Sequence, residues 1–325
     1  MVLSISVALC TRNGAQFIEE QLHSIFRQVP PPIEIVLSDD ASNDDTVVIA
    51  RRVAEGFFGT TLRVVENSHP RGVVANFEQA TLACTGDLIA LSDQDDVWHE
   101  GRLLRLAQEF ATKPELLLLA SDAILIDADG AALGSRLLET LEVSPSELAG
   151  VQHGDAFAML LRRNLMTGAT MVFRRSLLKQ AVPFPPSWVH DEWLASVAAA
   201  TGTVDLLAEP LVDYRQHAAN QIGARRRSFF SKVSLLLQPR EDRNSRLVAR
   251  ASDLVDRLES MPASVEGVHL EGAKGKLAHE RARQALPSAR FARLRPVFME
   301  ARTKGYAKYG RGLIDILRDL LQPAR

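Results

Sequence analysis

The chain has 325 residues, 46% hydrophobic and 24% charged, with a formal net charge of −2. That composition suits a globular protein of one large or two smaller domains, with ample material for a core. It excludes a disulfide scaffold, because Cys10 and Cys84 are the only cysteines, and a spanning helix, because no apolar run approaches the roughly 20 residues required. The two thiols suit a reducing, cytoplasmic compartment. The opening Met1-Val2-Leu3-Ser4-Ile5 lacks the basic lead of a secretory leader, so none is expected. Charge is unevenly spread: residues 225–325 hold 22 Lys+Arg against 11 Asp+Glu, leaving 16 against 29 in residues 1–224. An acidic first part can hold a cation, and a basic second part can face something anionic.

In chain order, residues 3–9 form a β-rich run, followed by Cys10-Thr11-Arg12-Asn13-Gly14. Residues 15–26 then carry apolar side chains at helical spacing. The same strand, loop, helix pattern recurs. Residues 33–37 read as a strand ending in Ser38-Asp39-Asp40, and 46–54 as a helix capped by the Asp/Asn cluster before it. Residues 62–65 read as a third strand and 74–83 as a helix. Residues 88–91 read as a fourth strand, 99–112 as a helix, and 116–120 as a fifth apolar run. Such alternation predicts right-handed βαβ units, a mainly parallel sheet, and ligand binding beyond the carboxyl ends of the strands. Neither a G-x-G-x-x-G fingerprint nor a G-x-x-x-x-G-K-[ST] loop is present, which argues against a dinucleotide dehydrogenase and a P-loop NTPase.

The fourth strand leads into Ser92-Asp93-Gln94-Asp95-Asp96-Val97-Trp98, three carboxylates within four residues. Burying unpaired charges is costly, so these groups are expected at a strand end, facing solvent or a cation. Oxygen ligands of this kind suit Mg²⁺ or Mn²⁺, with phosphate oxygens completing the shell. Beyond residue 121 the pattern loosens. Thr167-Gly168 opens a loop into a strand, and Pro183-Phe184-Pro185-Pro186-Ser187-Trp188 is a stiff extended segment. His190-Asp191-Glu192-Trp193 opens a helix. Residues 204–207 and 211–214 read as two strands before the polar patch Tyr214-Arg215-Gln216-His217. Past Arg225, residues 240–258, 277–286 and 313–321 are amphipathic helices, and 225–237 adjoins cationic and bulky apolar groups as a membrane-surface segment does. No nucleic-acid motif is present, so nucleic acid is not expected as a partner.

Together these stretches resemble family 2 glycosyltransferases of the GT-A fold over about residues 3–222. The resemblance lies in residues 6–14, 35–46, 90–98 and 190–194, in the family's order and spacing. The Ser-Asp-Gln-Asp-Asp-Val-Trp wording and Tyr214-Arg215-Gln216-His217 resemble the rhamnosyltransferase-like branch acting on surface polysaccharides. The resemblance implies a glycosyltransferase domain over 1–222 and a basic, mainly helical region over 223–325. It implies that Cys10, Thr11, Arg12 and Asn13 line the nucleotide base, with Arg12 standing where the family usually has an aromatic residue. Asp40 or Asp39 would accept from a pyrimidine N3–H, Asp93 would reach the ribose and metal, and Asp95 would bind the metal, with Asp96 behind it. Arg215 falls on the nucleotide-sugar side, His217 on the metal or diphosphate, and Gly168 and Trp188 on the acceptor side. Asp191 matches the family's general base, with Glu192 as the alternative.

The reading is therefore an inverting, metal-dependent glycosyltransferase using a UDP- or dTDP-linked sugar, dTDP-rhamnose being one candidate. Its acceptor would be a surface-polysaccharide or lipid-linked glycan at the inner membrane face, where residues 225–325 would make peripheral contact. The rivals are a sugar nucleotidyltransferase, which needs a glycine-rich basic loop that this chain lacks, and a non-catalytic nucleotide-sugar-binding module.

Overall fold

The computed structural model describes residues 3–217, 243–261 and 265–323. Strand β1 (Ile5–Thr11) is buried at every position, as a central parallel strand covered on both faces must be. Helix α1 (Ile18–Phe26) turns Ile18, Leu22, Ile25 and Phe26 inward. Then follow β2 (Glu34–Asp39), α2 (Thr46–Ala54), β3 (Thr61–Glu66), α3 (Val73–Ala83) and β4 (Leu88–Ser92). After the acidic loop come β5 (Val97–Trp98), α4 (Arg102–Thr112), β6 (Leu116–Ile126), β7 (Ala132–Arg136), α5 (Leu137–Thr140) and α6 (Pro145–Gly150). Helix α7 (Ala156–Arg162) precedes β8 (Met171–Arg174), α8 (Leu178–Ala181), α9 (His190–Thr201) and β9 (Thr203–Arg215).

One sheet of order β3-β2-β1-β4-β8-β6-β9-β5, with β7 beside β6, holds the nine strands of the described residues. Strands β3, β2, β1 and β4 run parallel, so the carboxyl ends of β1, β2 and β4 open on one edge. Strand β8 enters antiparallel between β4 and β6, while β6 and β9 are again parallel. The sheet is therefore mixed: a parallel half as the alternation predicts, joined to a half that reverses at β8. The two strands expected at 204–207 and 211–214 are one, β9. Its register shifts where Pro210, which has no N–H to give a ladder, stands opposite Asp122. At the N-cap of α2, Asp45 makes no side-chain cap bond, and the preceding Asp44 carboxylate instead accepts from the Thr46 N–H at 3.1 Å.

The chain divides into two compact units, Met1–Gly154 with Met166–Ala224, and Asp155–Leu165 with Arg225–Arg325. The first holds the sheet. The second is helical, comprising α7, α10 (Arg243–Glu259), α11 (Gly267–Gln284), α12 (Leu294–Arg302), α13 (Gly305–Tyr309) and α14 (Leu313–Leu321). The helix expected at 277–286 is the end of the longer α11. The stretch 225–237, expected to meet a membrane, lies outside the described residues. No described helix is long and apolar enough to cross a membrane.

At the opposite end of β2 from the acidic loops, Glu34 ties three segments together. Its carboxylate accepts from Ser6 Oγ at 2.8 Å, from the Thr85 N–H and Oγ1 at 2.7 Å each, and from Arg63 at 3.0 Å. Burial acts against its charged form, yet these hydrogen bonds outweigh burial and lower its pKa to about 2. The folded value lies below the unfolded one, so this stabilisation is present above about pH 4.5 and is lost as pH falls toward 2. Glu34→Gln is expected to lower stability by about 1–2 kcal/mol at pH 7. In urea melts the difference from the parent chain should close between pH 4.5 and 2; a gap independent of pH would contradict this account.

Candidate active site

The strand ends on the parallel edge line an open cleft with a cavity volume of about 160 Å³. Cys10, Thr11 and Arg12 line it from β1, Asp40 from β2, and Asp93, Gln94 and Asp95 from β4. Across from them stand Thr167, Gly168, His190 and Asp191.

The loop after β1 is held from several sides. Gln94 clips it, its Oε1 accepting from the Arg12 N–H at 2.7 Å and its Nε2 donating to the Arg12 carbonyl at 3.1 Å. Asn13 adopts a left-handed φ of 51°, which Asn tolerates better than most residues. Its N–H donates to Ser42 and its Oδ1 accepts from the Asn43 N–H, so Asn13 braces the two loops rather than lining the cleft. Burial and the charges of Asp93 and Asp40 raise the Cys10 thiol, which stays protonated. Asp39 and Asp40, undivided in sequence, separate here. Asp39 turns away from the cleft and accepts from Thr11 Oγ1 at 2.7 Å and the Ser42 N–H at 2.8 Å. Asp40 lines the cleft, accepts from the Arg71 and Gly72 N–H groups, and lies 3.6 Å from the Arg12 guanidinium.

Asp93 and Asp95 form the acidic wall, with Asp96 buried behind them. Burial, followed by the charges of Asp95 and Asp191, raises Asp93 to about 7. Asp95 is raised by burial against the opposing pull of His217, whose Nε2 lies 2.8 Å from its Oδ2. Asp96 is raised further, by burial and by its two neighbours. One of its oxygens accepts from the Arg215 N–H at 3.0 Å, while the other is buried without a hydrogen bond. The nearby Arg102 guanidinium lies over the Trp98 ring at 3.9 Å; burial lowers its pKa to about 9, and Asp96 resists that shift. Three carboxylates thus face more desolvation than the surrounding cations relieve, and a hard divalent cation suits such a donor set. Among the described residues no group of three or more His, Cys, Asp or Glu side chains is arranged to hold a metal ion by itself. An ion here needs oxygens from its ligand as well.

Arg215, expected to touch the nucleotide sugar, is a strut. It is 2% exposed and absent from the cleft wall. Its guanidinium donates to the carbonyls of Asp95 at 2.7 Å and Ala128 at 3.1 Å and to Glu20 at 2.6 Å. His217 stacks on Phe17 with ring centroids 4.8 Å apart.

On the far wall, Asp191 sits in the first turn of α9. Its Oδ2 accepts from the Gly168 N–H at 3.0 Å and its Oδ1 from the Glu192 N–H at 2.6 Å. A Cβ on Gly168 would lie 3.0 Å from His190 Nε2 and 3.4 Å from Asp191 Cβ, so glycine permits this approach. Glu192 does not line the cleft. Trp188, expected on the acceptor side, packs against Trp193 at 5.5 Å and also lies off it. His190 is a residue the sequence did not single out. Its ring stacks on Phe77 at 3.8 Å, both nitrogens are buried without a hydrogen bond, and burial lowers its pKa, so it is neutral. Gln94 and Arg102 were likewise unassigned. Only their spacing from the acids marks them in sequence.

A mixed α/β sheet with carboxylates at its parallel edge defines a GT-A-like domain. The chain matches the sequence model of Glycosyl transferase family 2 over residues 6–180, more than half its length, and belongs to that family. Asp191 lies beyond the matched residues. An uncharacterized glycosyltransferase of Nostoc sp. is 26% identical over 224 residues, covering 67% of this chain and 66% of the relative. The succinoglycan biosynthesis protein ExoU of Rhizobium meliloti is 26% identical over 178 residues, 54% of this chain and 50% of that one. The chain thus spans less than two thirds of the length of either relative. Among solved structures, S. aureus TarS 1-349 superposes with a TM-score of 0.53 at 17% identity, covering 97% of this chain and 90% of that one. The mannosyltransferase PcManGT from Pyrobaculum calidifontis gives 0.53 at 20%, covering 98% and 85%. These two likenesses show the shared fold.

If Arg215 is a strut, Arg215→Met strands the Asp95 and Ala128 carbonyls. Thermal melts should then show a loss of about 2–4 kcal/mol. A loss below about 0.5 kcal/mol, as for an ordinary surface position, would count against the assignment.

Proposed function

We propose that this chain transfers a glycosyl group from a nucleoside-diphosphate sugar to an acceptor hydroxyl, with inversion at the anomeric carbon. The observation carrying the proposal is the cleft itself: Asp191 faces the acidic wall closely enough for its charge to raise Asp93. In this reading Arg12 stacks on the base and Asp40, beside it, accepts from a pyrimidine N3–H. Cys10 and Thr11 floor the base site, with Asn13 and Asp39 bracing it from outside. Asp93 and Asp95 would hold Mg²⁺ or Mn²⁺ together with diphosphate oxygens, with Asp96 behind them and His217 on Asp95. When bound, such a cation acts as a Lewis acid toward the diphosphate leaving group.

Asp191 takes the proton of the acceptor hydroxyl as that oxygen attacks the anomeric carbon. The bond to the β-phosphate oxygen breaks, and the nucleoside diphosphate departs with the electron pair. Attack opposite the leaving group needs one carboxylate and no covalent sugar intermediate. The Gly168 N–H orients Asp191 without neutralising it. Support for the donor class comes from relatives of the same fold, TarS in complex with UDP-GlcNAc and PcManGT in complex with GDP-Man and Mn²⁺. For this chain we favour a UDP- or dTDP-linked donor, dTDP-rhamnose included. Similarity to a succinoglycan biosynthesis protein supports a polysaccharide acceptor, a lipid-linked glycan being the alternative we keep.

A donor panel assayed with and without Mn²⁺ tests the reading. Asp191→Asn should lower kcat by about 10²–10⁴-fold while nucleotide affinity changes less than about threefold. A nucleotide-binding module without catalysis would show no turnover to lose. Asp95→Ala, or chelation of divalent ions, should abolish Mn²⁺-dependent donor binding in calorimetry; unchanged binding would remove the cation from the site.

A further inference from the structure

We propose that the outer faces of α12 and α14 seat this protein on an anionic lipid surface. The proposal rests on the reading above only in that it gives a membrane-presented acceptor a place to be met. Helix α14 is inverted relative to the usual amphipathic rule. Its carboxylates point inward: Asp319 is fully buried and accepts from Arg283 at 2.7 Å and the Tyr306 hydroxyl at 2.9 Å. Asp315, also buried, accepts from the Arg311 N–H at 2.9 Å. Its apolar side chains Leu313, Ile314, Leu317 and Leu321 are left outside, Leu313 at 72% exposure. Helix α12 packs on α14, with Val297 buried near Ile316 and Leu320. It too leaves Leu294 and Phe298 exposed, and Phe291 just before it is 90% exposed.

Bulky apolar side chains exposed together on two packed helices mark an interaction site. The exposed charges of the same segment indicate what covers it. Within described residues 286–323 the exposed charged side chains are Arg290, Arg295, Arg302, Lys304, Lys308 and Arg311, and no Asp or Glu is exposed. Cations beside bulky apolar groups match an anionic headgroup layer, with apolar groups entering just below it. A second copy of this chain fits poorly, because a two-fold contact through the same patch would set cations against cations. With no described helix able to span, the contact is peripheral.

The test uses the full chain and sedimentation with vesicles, either phosphatidylcholine alone or containing about 30 mol% phosphatidylglycerol. The parent chain should co-sediment with the anionic vesicles, and less so as salt rises. Leu313→Ser, Leu317→Ser and Leu321→Ser combined remove apolar groups that are already exposed, so the fold should hold. Partitioning should fall at least about tenfold while donor turnover in solution is retained. Arg290→Gln, Arg295→Gln and Lys304→Gln combined should weaken anionic binding by about 100-fold. Asp191→Asn should bind vesicles normally, so a failed enzymatic reading and a failed membrane reading give different results. Equal partitioning of the parent and both combined variants would overturn the proposal. So would a parent chain that stays in the supernatant, or a dimer abolished by the leucine changes without vesicle binding.

Discussion

Desolvation of three carboxylates within four residues, Asp93, Asp95 and Asp96, is the constraint on which the rest of the first unit depends. Left alone, such a cluster would protonate or open to water. The fold partly answers the charge with groups from distant parts of the chain: His217 on Asp95, Arg215 on the Asp95 carbonyl and the Asp96 carboxylate, and Arg102 near Asp96. What remains unanswered is a local excess of negative charge at the end of a central strand. That location is where an α/β sheet exposes ligands.

The reversal of the sheet at β8 brings the opposite wall into place. Strand β8 pairs with β4 on one side and β6 on the other, and its preceding turn presents Gly168 to Asp191. Helix α9 is then pinned to α3 by the stack of His190 on Phe77. Asp191 thus faces the acids because of packing between elements more than 100 residues apart in sequence.

Periodicity made the strand and helix order of residues 3–120 legible, because fully buried strands and amphipathic helices differ plainly in spacing. The acidic loop was legible from residue type at a strand end, whereas Asp191 and Gly168 stood out only through the family resemblance. The parting of Asp39 from Asp40 was not, since it depends on which carboxylate the Ser42 turn captures. Arg215 looked like a ligand-binding cation because nothing in sequence reveals that its partners are Glu20, Asp95 and Ala128. The amphipathic pattern of 313–321 was visible, yet which face turns inward was decided by Arg283 and Tyr306 on other helices.

The Gln94 side-chain amide has one more consequence. It grips both the N–H and the carbonyl of Arg12 while its own backbone lies between Asp93 and Asp95. The loop after β1 and the loop carrying the acids are therefore joined by a two-point clasp. Displacing either loop therefore breaks the hydrogen bonds that hold the other in place.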